Sequence, residues 1–471
     1  MKRKFAIKLS TSILGISLLF QISVSCKKFV QIPDAPDKLP TATVFSDSAD
    51  ATAAVLGIYT MMAGTSTTIN FFHGGMTVYT GIAADELVPT DRSGDLLQFY
   101  LNAINPITNN TVNTLWIKAY AVIYQTNACL EGLSSSSTLH ASVRNELSGE
   151  ARLARAYTYF NLVNLYGAVP LVVTTDYRIT AILPRATIDS VYGQIVSDLK
   201  LASGELSDAY PSDGRVRPNK MTALAFLAKV QLYRKQWSDA EATASQVIVS
   251  GKYSLEDDLN KVFLAESNEA IWQLLPVQTG VETSDGFNFV PTSNLVYPRY
   301  AINHALLDSF EENDKRRSFW LDSNVVNNQA YYYPYKYKLG FDGNTTPLEN
   351  YMLFRLGEQY LIRAEARVEQ NNLSGAIDDL NVIRHRAGLS DVAMSSQDDI
   401  RNEIYKERKI EMFCETGNRW FDMKRSGRIN SIMGAVTPIK GGSWNENWQL
   451  FAIPYQQILL NPFLTQNVGY K

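Results

Sequence analysis

Apolar side chains recur at helical spacing through much of the chain. The first such stretch, residues 47–62, places its apolar positions on one face behind a serine that can cap the helix N-terminus. These positions are Ala49, Ala53, Leu56 and Tyr59, and the candidate caps are Ser46 and Ser48. The same periodicity returns at 112–133 and becomes stronger through 141–165. The pattern therefore predicts several long amphipathic helices.

Two later segments each carry a pair of alanines twelve residues apart, with a large apolar residue three positions before the second alanine. The residues are Ala228, Trp237 and Ala240 in one segment, and Ala364, Leu373 and Ala376 in the other. Small residues allow two helices to approach closely, which is the arrangement of a tetratricopeptide hairpin. We predict such hairpins around 141–166, 221–250 and 351–386. Ordinary amphipathic helix pairs are the alternative, and in both cases these helices are scaffold.

Helical periodicity is weak in two long segments, 63–110 and 270–350, which we name the first and second loop regions. Both are rich in Gly, Asn and aromatic residues. Loops of this length inside a compact domain usually carry function. The predicted fold class is mostly α: a tetratricopeptide-like scaffold of helical hairpins, long irregular aromatic-rich loops and little β structure. Residues 41–471 are expected to form one domain.

Composition excludes some classes of protein. The net charge is −3 and no basic stripe is present, which argues against a nucleic-acid partner. The chain has three cysteines, too few for a disulfide framework, and a bridge between Cys129 and Cys414 stays open. A large core absorbs many of the 25 Tyr, 20 Phe and 7 Trp, and surplus tyrosines on loops often serve recognition.

The N-terminus has the features of an export signal. Basic residues at positions 2–4 precede an apolar run at 13–24 that is too short for a comfortable bilayer span. The small residues at 23–25, followed directly by Cys26, resemble a bacterial lipoprotein signal. That resemblance implies cleavage before Cys26 and acylation of its thiol, with each buried methylene contributing about 0.8 kcal/mol. We predict a signal peptide at 1–25 and a lipidated tether at 26–40; a plain secretory signal is the alternative.

Five blocks, in order, resemble the SusD/RagB family of outer-membrane lipoproteins. They are EARLARAYTYFNLVNLYGAVPLV (150–172), NYMLFRLGEQYLIRAEARVEQ (350–370), DLNVIRHRAGL (379–389), IYKERKIEMFCETGNRWFDMKRSGR (404–428) and IPYQQILLNPFLTQNVGY (453–470).

This resemblance implies a helical, non-enzymatic protein that needs no cofactor. Members of the family bind oligosaccharides, or in some branches peptides, and form a lid over a SusC-type TonB-dependent transporter. The membrane would be reached through the lipid anchor only. We expect an outer-membrane location facing the cell exterior. Lys27 and Lys28 depart from the acidic residues that many exported lipoproteins carry after the cysteine.

The sequence gives no sign of catalysis or of a metal site. The four histidines are far apart, and no nucleophile elbow, phosphate loop or dinucleotide fingerprint is present. Glutamates at every fourth position of 403–415 predict a solvated or salt-bridged helix face. The alternating tyrosines of 331–337 favour packing over ligand contact. A non-catalytic helical-repeat adaptor is the remaining alternative to a ligand-binding protein.

Residues for sugar recognition are expected in the two loop regions. Aromatic rings cover the apolar faces of sugars, and Asn, Asp and Arg side chains bond their hydroxyl groups. The candidates in the first region are Phe71, Phe72, Tyr79, Asp85, Arg92, Phe99, Tyr100 and Asn102. Those in the second region are Phe287, Phe289, Tyr297, Arg299, Tyr300 and Trp320.

Overall fold

The computed structural model of the protein describes residues 41–341, 343 and 346–470. The chain divides into two units, 1–44 and 45–471. In the first unit the described part is a short helix, α1 (Thr41–Val44). The predicted signal peptide at 1–25 and the tether at 26–40, with Cys26, lie outside the described residues.

The second unit is built mainly from helices. In chain order they are α2 (Ser48–Ala63), α3 (Gly75–Ala83), α4 (Gly94–Tyr100), α5 (Asn110–Ser135), α6 (Ala141–Tyr166), α7 (Tyr177–Thr180), α8 (Ile188–Glu205), α9 (Lys220–Tyr233), α10 (Trp237–Val249), α11 (Ser284–Phe289), α12 (His304–Leu307), α13 (Lys315–Trp320), α14 (Leu356–Glu369), α15 (Leu373–Arg386), α16 (Gln397–Glu411), α17 (Asn418–Arg425), α18 (Ile429–Ile439) and α19 (Tyr455–Leu460).

The strands are short and pair only two at a time in the described part of the chain. They are β1 (Leu87–Pro89), β2 (Val169–Pro170), β3 (Arg185–Ala186), β4 (Ala270–Leu274), β5 (Tyr300–Ile302), β6 (Leu321–Val326), β7 (Gln329–Pro334) and β8 (Tyr351–Arg355). The pairs are β1 with β5, β2 with β3, β4 with β8 and β6 with β7, all antiparallel. The predicted fold class, mostly α with little β structure, is confirmed.

The scaffold is a succession of long helices that each pack on the next. Helix α6 contacts α5 and α8, α9 contacts α8 and α10, and α14 contacts α10, α15 and α16. Ala228 and Ala240 are fully buried where α9 meets α10, and Ala364 and Ala376 are fully buried where α14 meets α15. Small side chains at these crossings let the backbones come close, as the alanine spacing predicts.

Two details differ from the sequence expectation. Residues 141–166 form the single helix α6, so this segment supplies one arm of a hairpin and its neighbours α5 and α8 supply the others. The side chain of Asp47, rather than that of Ser46 or Ser48, accepts the backbone N–H groups of Ala49 and Asp50 at the start of α2. A carboxylate at this position also interacts favourably with the helix dipole.

The glutamates of α16 and the turn after it belong to the protein interior. Glu407, Glu411 and Glu415 are buried, and their carboxylates pair with the buried bases Arg316, Arg355, Arg386 and Lys336. The predicted alternative of a salt-bridged face is confirmed, and the face is buried except at Glu403, which is half-buried and pairs with Arg384. Buried charges persist only when they are paired in this way.

Two further sequence questions are answered within the described residues. Cys129 and Cys414 are both buried and both free, so the possible bridge between them is absent. No helix in the described ranges is long and apolar enough to cross a bilayer.

Candidate functional site

The pairing of β1 with β5 joins the two loop regions, although they are about two hundred residues apart in sequence. Leu87 lies opposite Ile302 and Pro89 opposite Tyr300. One residue beyond the strand, the Thr90 N–H donates to the Arg299 carbonyl at 2.9 Å. The segments that follow β1 and precede β5 are therefore held side by side.

An open cleft lies between these segments. Its volume is about 340 Å³ and it is lined by Thr90, Asp91, Leu96, Tyr297, Arg299 and Tyr300. We call this site the cleft. It combines aromatic rings with one acidic, one basic and one hydroxyl side chain, the combination of groups that can cover a sugar face and bond its edges.

Tyr297 is the most exposed ring of the cleft, with 41% of its surface accessible. Its ring packs edge-on against Tyr331 with centroids 5.0 Å apart, and its hydroxyl accepts the Asn327 amide N–H at 2.9 Å. Asn327 and Tyr331 belong to the hairpin formed by β6 and β7. The hairpin thus holds the Tyr297 ring in place, and part of the residue's surface stays accessible.

Two of the predicted arginines are exposed: Arg299 lines the cleft, and Arg92 lies on the segment that follows β1 but does not line the cleft. The Arg299 guanidinium lies 5.4 Å from the Phe287 ring centroid and donates to the Asn288 side-chain oxygen at 3.3 Å. On the opposite segment, the Arg92 guanidinium lies 5.1 Å from the ring centroid of Tyr100. Both arginines are exposed, so each can still donate N–H groups to a ligand.

Several predicted ligand residues are part of the core instead. Their rings and polar groups are 6% exposed or less, because each packs against or bonds to neighbouring elements. They are Phe71, Phe72, Asp85, Phe99, Tyr100, Asn102, Phe289 and Trp320. Tyr300 is equally buried but its ring lines the cleft. Tyr79 and Phe287 are half-buried; Tyr79 packs on Phe99, and Phe287 lies under Arg299.

Trp320 is the clearest of these corrections. Its side chain has no accessible surface, and its indole N–H donates to the Leu259 carbonyl at 3.1 Å. The Lys336 ammonium lies 4.6 Å from the Trp320 ring centroid and 4.0 Å from that of Phe413. The ring shields buried charges and cannot reach a ligand.

Thr90, Asp91 and Leu96 line the cleft but were not predicted from the sequence. Thr90 and Asp91 are the two residues directly before Arg92, which was predicted. A polar run that directly follows a short strand is the signal that could have identified them.

A second open cavity, of about 520 Å³, lies on the scaffold and was not predicted. We call it the α5 groove. It is mainly apolar and is lined by residues of α5, α7 and α19, among them Trp116, Ile117, Tyr120, Tyr124, Thr180 and Leu460. Tyr124 is 57% exposed there. Over the described ranges, no three His, Cys, Asp or Glu side chains are grouped closely enough to hold a metal ion.

Comparison with known families identifies the chain. A family model described as "Starch-binding associating with outer membrane" matches residues 62–232, and one described as "SusD family" matches residues 311–470. The protein belongs to the SusD/RagB family. Together the two matches cover more than half of the chain, including both helices of the 351–386 hairpin and most of the first helix of the 221–250 hairpin.

Relatives and solved structures agree with this assignment. "SusD-like protein P25" of Formosa agariphila is 24% identical over 98% of this chain and 100% of its own. A SusD superfamily protein from Bacteroides vulgatus has the same fold, with a TM-score of 0.79 and 20% identity over 90% of this chain and 99% of its own. A structure named "Laminarin binding SusD-like protein" superposes with a TM-score of 0.75 and 22% identity over 90% and 99% of the two chains.

Proposed function

We propose that this SusD/RagB protein is a cell-surface lipoprotein that captures oligosaccharides in the cleft and passes them to a SusC-type TonB-dependent transporter. Ligand binding is proposed because residues from both loop regions line one open cleft. They are Tyr297, Arg299 and Tyr300 from the second region and Thr90 and Asp91 from the first. The name of the laminarin-binding relative supports a glycan as the ligand class.

The chemistry of the cleft suits capture followed by release. A shallow site with one exposed ring and a few polar groups buries little of a sugar, so affinity in the range of about 1 μM to 1 mM is expected. Binding of that strength lets the ligand leave for a transporter. Oligosaccharides are favoured over peptides because the cleft offers an aromatic face flanked by hydrogen-bonding side chains and no deep apolar pocket.

The binding test compares two exposed tyrosines in different cavities. Tyr297→Ala removes the exposed ring of the cleft, and Tyr124→Ala removes an exposed ring of the α5 groove. Calorimetric titration of the full-length protein with a glycan panel, including laminarin oligosaccharides, is expected to identify a binder that Tyr297→Ala weakens by about ten-fold, the loss expected for one stacked ring of about 1.4 kcal/mol. Tyr124→Ala should bind as the unchanged protein does.

Three other results would count against the proposal. Loss of binding in Tyr124→Ala alone would move the site to the α5 groove. Binding of peptides but no glycan would replace the ligand class while keeping the uptake role. A stable partner other than a transporter, with no small ligand at all, would favour the helical-repeat adaptor.

The location and the partner need separate experiments. Cys26→Ala should abolish incorporation of labelled palmitate and release the protein from the outer-membrane fraction. Surface proteolysis of intact cells should digest the anchored protein, in keeping with an exterior position. Affinity purification from membranes should recover a TonB-dependent transporter with it, and an outcome without one would contradict the delivery step.

A further inference from the structure

A third cavity, distinct from the cleft and from the α5 groove, lies between α16, α17 and the start of α18. This cavity has a volume of about 190 Å³ and shares no lining residue with the cleft. Five basic side chains and one acidic side chain line it: Lys406, Arg408, Lys409, Arg419, Arg428 and Asp422. We call it the basic cavity. Since liquid water takes about 30 Å³ per molecule, it has room for several waters or for one compact anion.

The carboxylates next to the basic cavity are each shared between two bases. Asp85 pairs with Arg419 at 2.7 Å and with Lys409 at 3.4 Å. Asp422 pairs with Arg408 at 2.8 Å and with Arg425 at 2.6 Å. Arg425 has Glu365 as a further partner, whereas Arg419 and Lys409 share Asp85, so the positive charge of these two cavity bases is only partly neutralised.

The remaining acidic neighbours follow the same rule. Glu311 and Glu403 each pair with both Lys406 and Arg384. Glu358 lies 3.6 Å from Arg408 but pairs more closely, at 2.9 Å, with Lys229. Each of these carboxylates therefore has at least two basic partners.

One buried arginine at the cavity has an N–H donor without an acceptor, and a second arginine has no carboxylate partner. Arg408 is 1% exposed, and its Nη1 has no hydrogen-bond partner in the described part of the chain. Arg428 is half-buried, with its guanidinium 4.2 Å from the Tyr405 ring centroid and Nη2 donating to Asn402. Within the described ranges Arg428 forms no ion pair with a carboxylate. A buried donor without an acceptor is costly, and a charged acceptor compensates it best.

We infer that the basic cavity binds a compact oxyanion through Arg408 and Arg428. The ligand chemistry is a sulfate, phosphate or carboxylate group, which accepts several N–H donors from guanidinium groups. It can come from a free inorganic anion or from the acidic substituent of a sugar. The inference does not rest on the proposed function, because the cavity and the cleft are built from different residues.

The test measures anion binding to the full-length protein by calorimetry. Sodium sulfate, sodium phosphate, glucuronate and glucose 6-sulfate are titrated at constant ionic strength, with glucose as the neutral control. At least one anion is expected to give saturable heat, and glucose none. Preference for the inorganic ions would identify a free anion as the ligand, whereas preference for the acidic sugars would identify a glycan substituent.

Variants assign the binding to the cavity. Arg428→Gln should weaken the anion about ten-fold, because it removes one charged hydrogen-bond donor. Arg401→Gln is the matched control: this arginine is also associated with α16 but pairs with Glu369 and Asp398, away from the cavity, and its loss should leave anion affinity unchanged.

Two results would overturn the inference: no saturable binding of any of the four anions, or equal anion affinity in Arg428→Gln and the unchanged protein. Arg428 is only half-buried, so a normal melting temperature is expected for the variant and checks that it folds. Tyr297→Ala should bind the anion normally, which separates this site from the cleft.

Discussion

Arg419 and Asp85 form a two-point contact in which the guanidinium Nε and Nη2 each lie 2.7 Å from one carboxylate oxygen. Asp85 stands two residues before β1, whereas Arg419 belongs to α17. Burial favours the neutral acid, but the charge and hydrogen bonds of Arg419, together with the charge of Lys409, hold the pKa of Asp85 well below its usual range. The pair ties the strand that carries one side of the cleft to the helical scaffold.

Removing the arginine is expected to destabilise the protein strongly. Arg419→Ala leaves a buried carboxylate with only Lys409 nearby, at 3.4 Å, and should lower the free energy of unfolding by about 3 kcal/mol. Urea unfolding at neutral pH measures this loss. Arg178→Ala is the control, since Arg178 pairs with Asp176 at the exposed surface and its loss should have little effect on stability. Similar losses in the two variants would contradict the role given to Arg419.

A neighbouring carboxyl should make stability depend on pH. Burial raises the pKa of Glu86 to about 7, although the Cys414 N–H donates to its Oε1 at 3.0 Å and lowers the pKa in part. The folded protein then keeps this proton at a pH where the unfolded chain has lost it. The stability contributed by protonation of Glu86 is fully present below pH 4.5, the ordinary pKa of a glutamate. It is lost as the pH rises to about 7, by about 3 kcal/mol in all.

Glu86→Gln replaces the titrating carboxyl with a neutral amide, so this pH dependence of stability should disappear. Urea unfolding at pH 5 and at pH 8 gives the free energy of unfolding of both proteins. The unchanged protein should lose stability between these two pH values, so the difference in favour of the variant should be larger at pH 8 than at pH 5. A constant difference between the two proteins at both pH values would show that Glu86 does not titrate in this range.

The close helix crossing at Ala240 should not tolerate a larger side chain. Ala240 is fully buried between α9 and α10, in a cluster with Ala228 and Leu232. Ala240→Leu is therefore expected to cost about 1–3 kcal/mol through overpacking. Ala242→Leu, two residues further along the same helix and exposed, should have little effect on the melting temperature. Equal effects would mean that the crossing adapts to the added volume.

The scaffold could be predicted because its signals are local. The Ala228 and Ala240 pair, and the Ala364 and Ala376 pair, report on contacts between helices that are adjacent in sequence. The apolar periodicity of 112–133 lies within the single helix α5 for the same reason. Local periodicity determines which face of a helix is buried, and short connections leave few possible partners.

The cleft could be predicted only in part, because it depends on contacts between distant segments. Composition identified both loop regions and the residues Tyr297, Arg299 and Tyr300. It could not distinguish an exposed ring from a buried one: Tyr297 and Trp320 are both aromatic residues of the second loop region, yet one is 41% exposed and the other has no accessible surface. Trp320 is buried by Phe263, Phe413 and Lys336, and no local pattern connects these residues.

The backbone pairing of β1 with β5 holds the two sides of the cleft together, whereas side chains outside the pairing line the cleft. Its hydrogen bonds run between backbone atoms, so they do not depend on which side chains project from the adjoining segments. Thr90, Asp91, Tyr297 and Arg299 all lie just outside the paired residues. Under the proposed function, substitution at these positions would change which sugar is recognised without loss of the pairing. If the cleft binds oligosaccharides as proposed, point mutations there would alter ligand specificity while the backbone architecture stays intact.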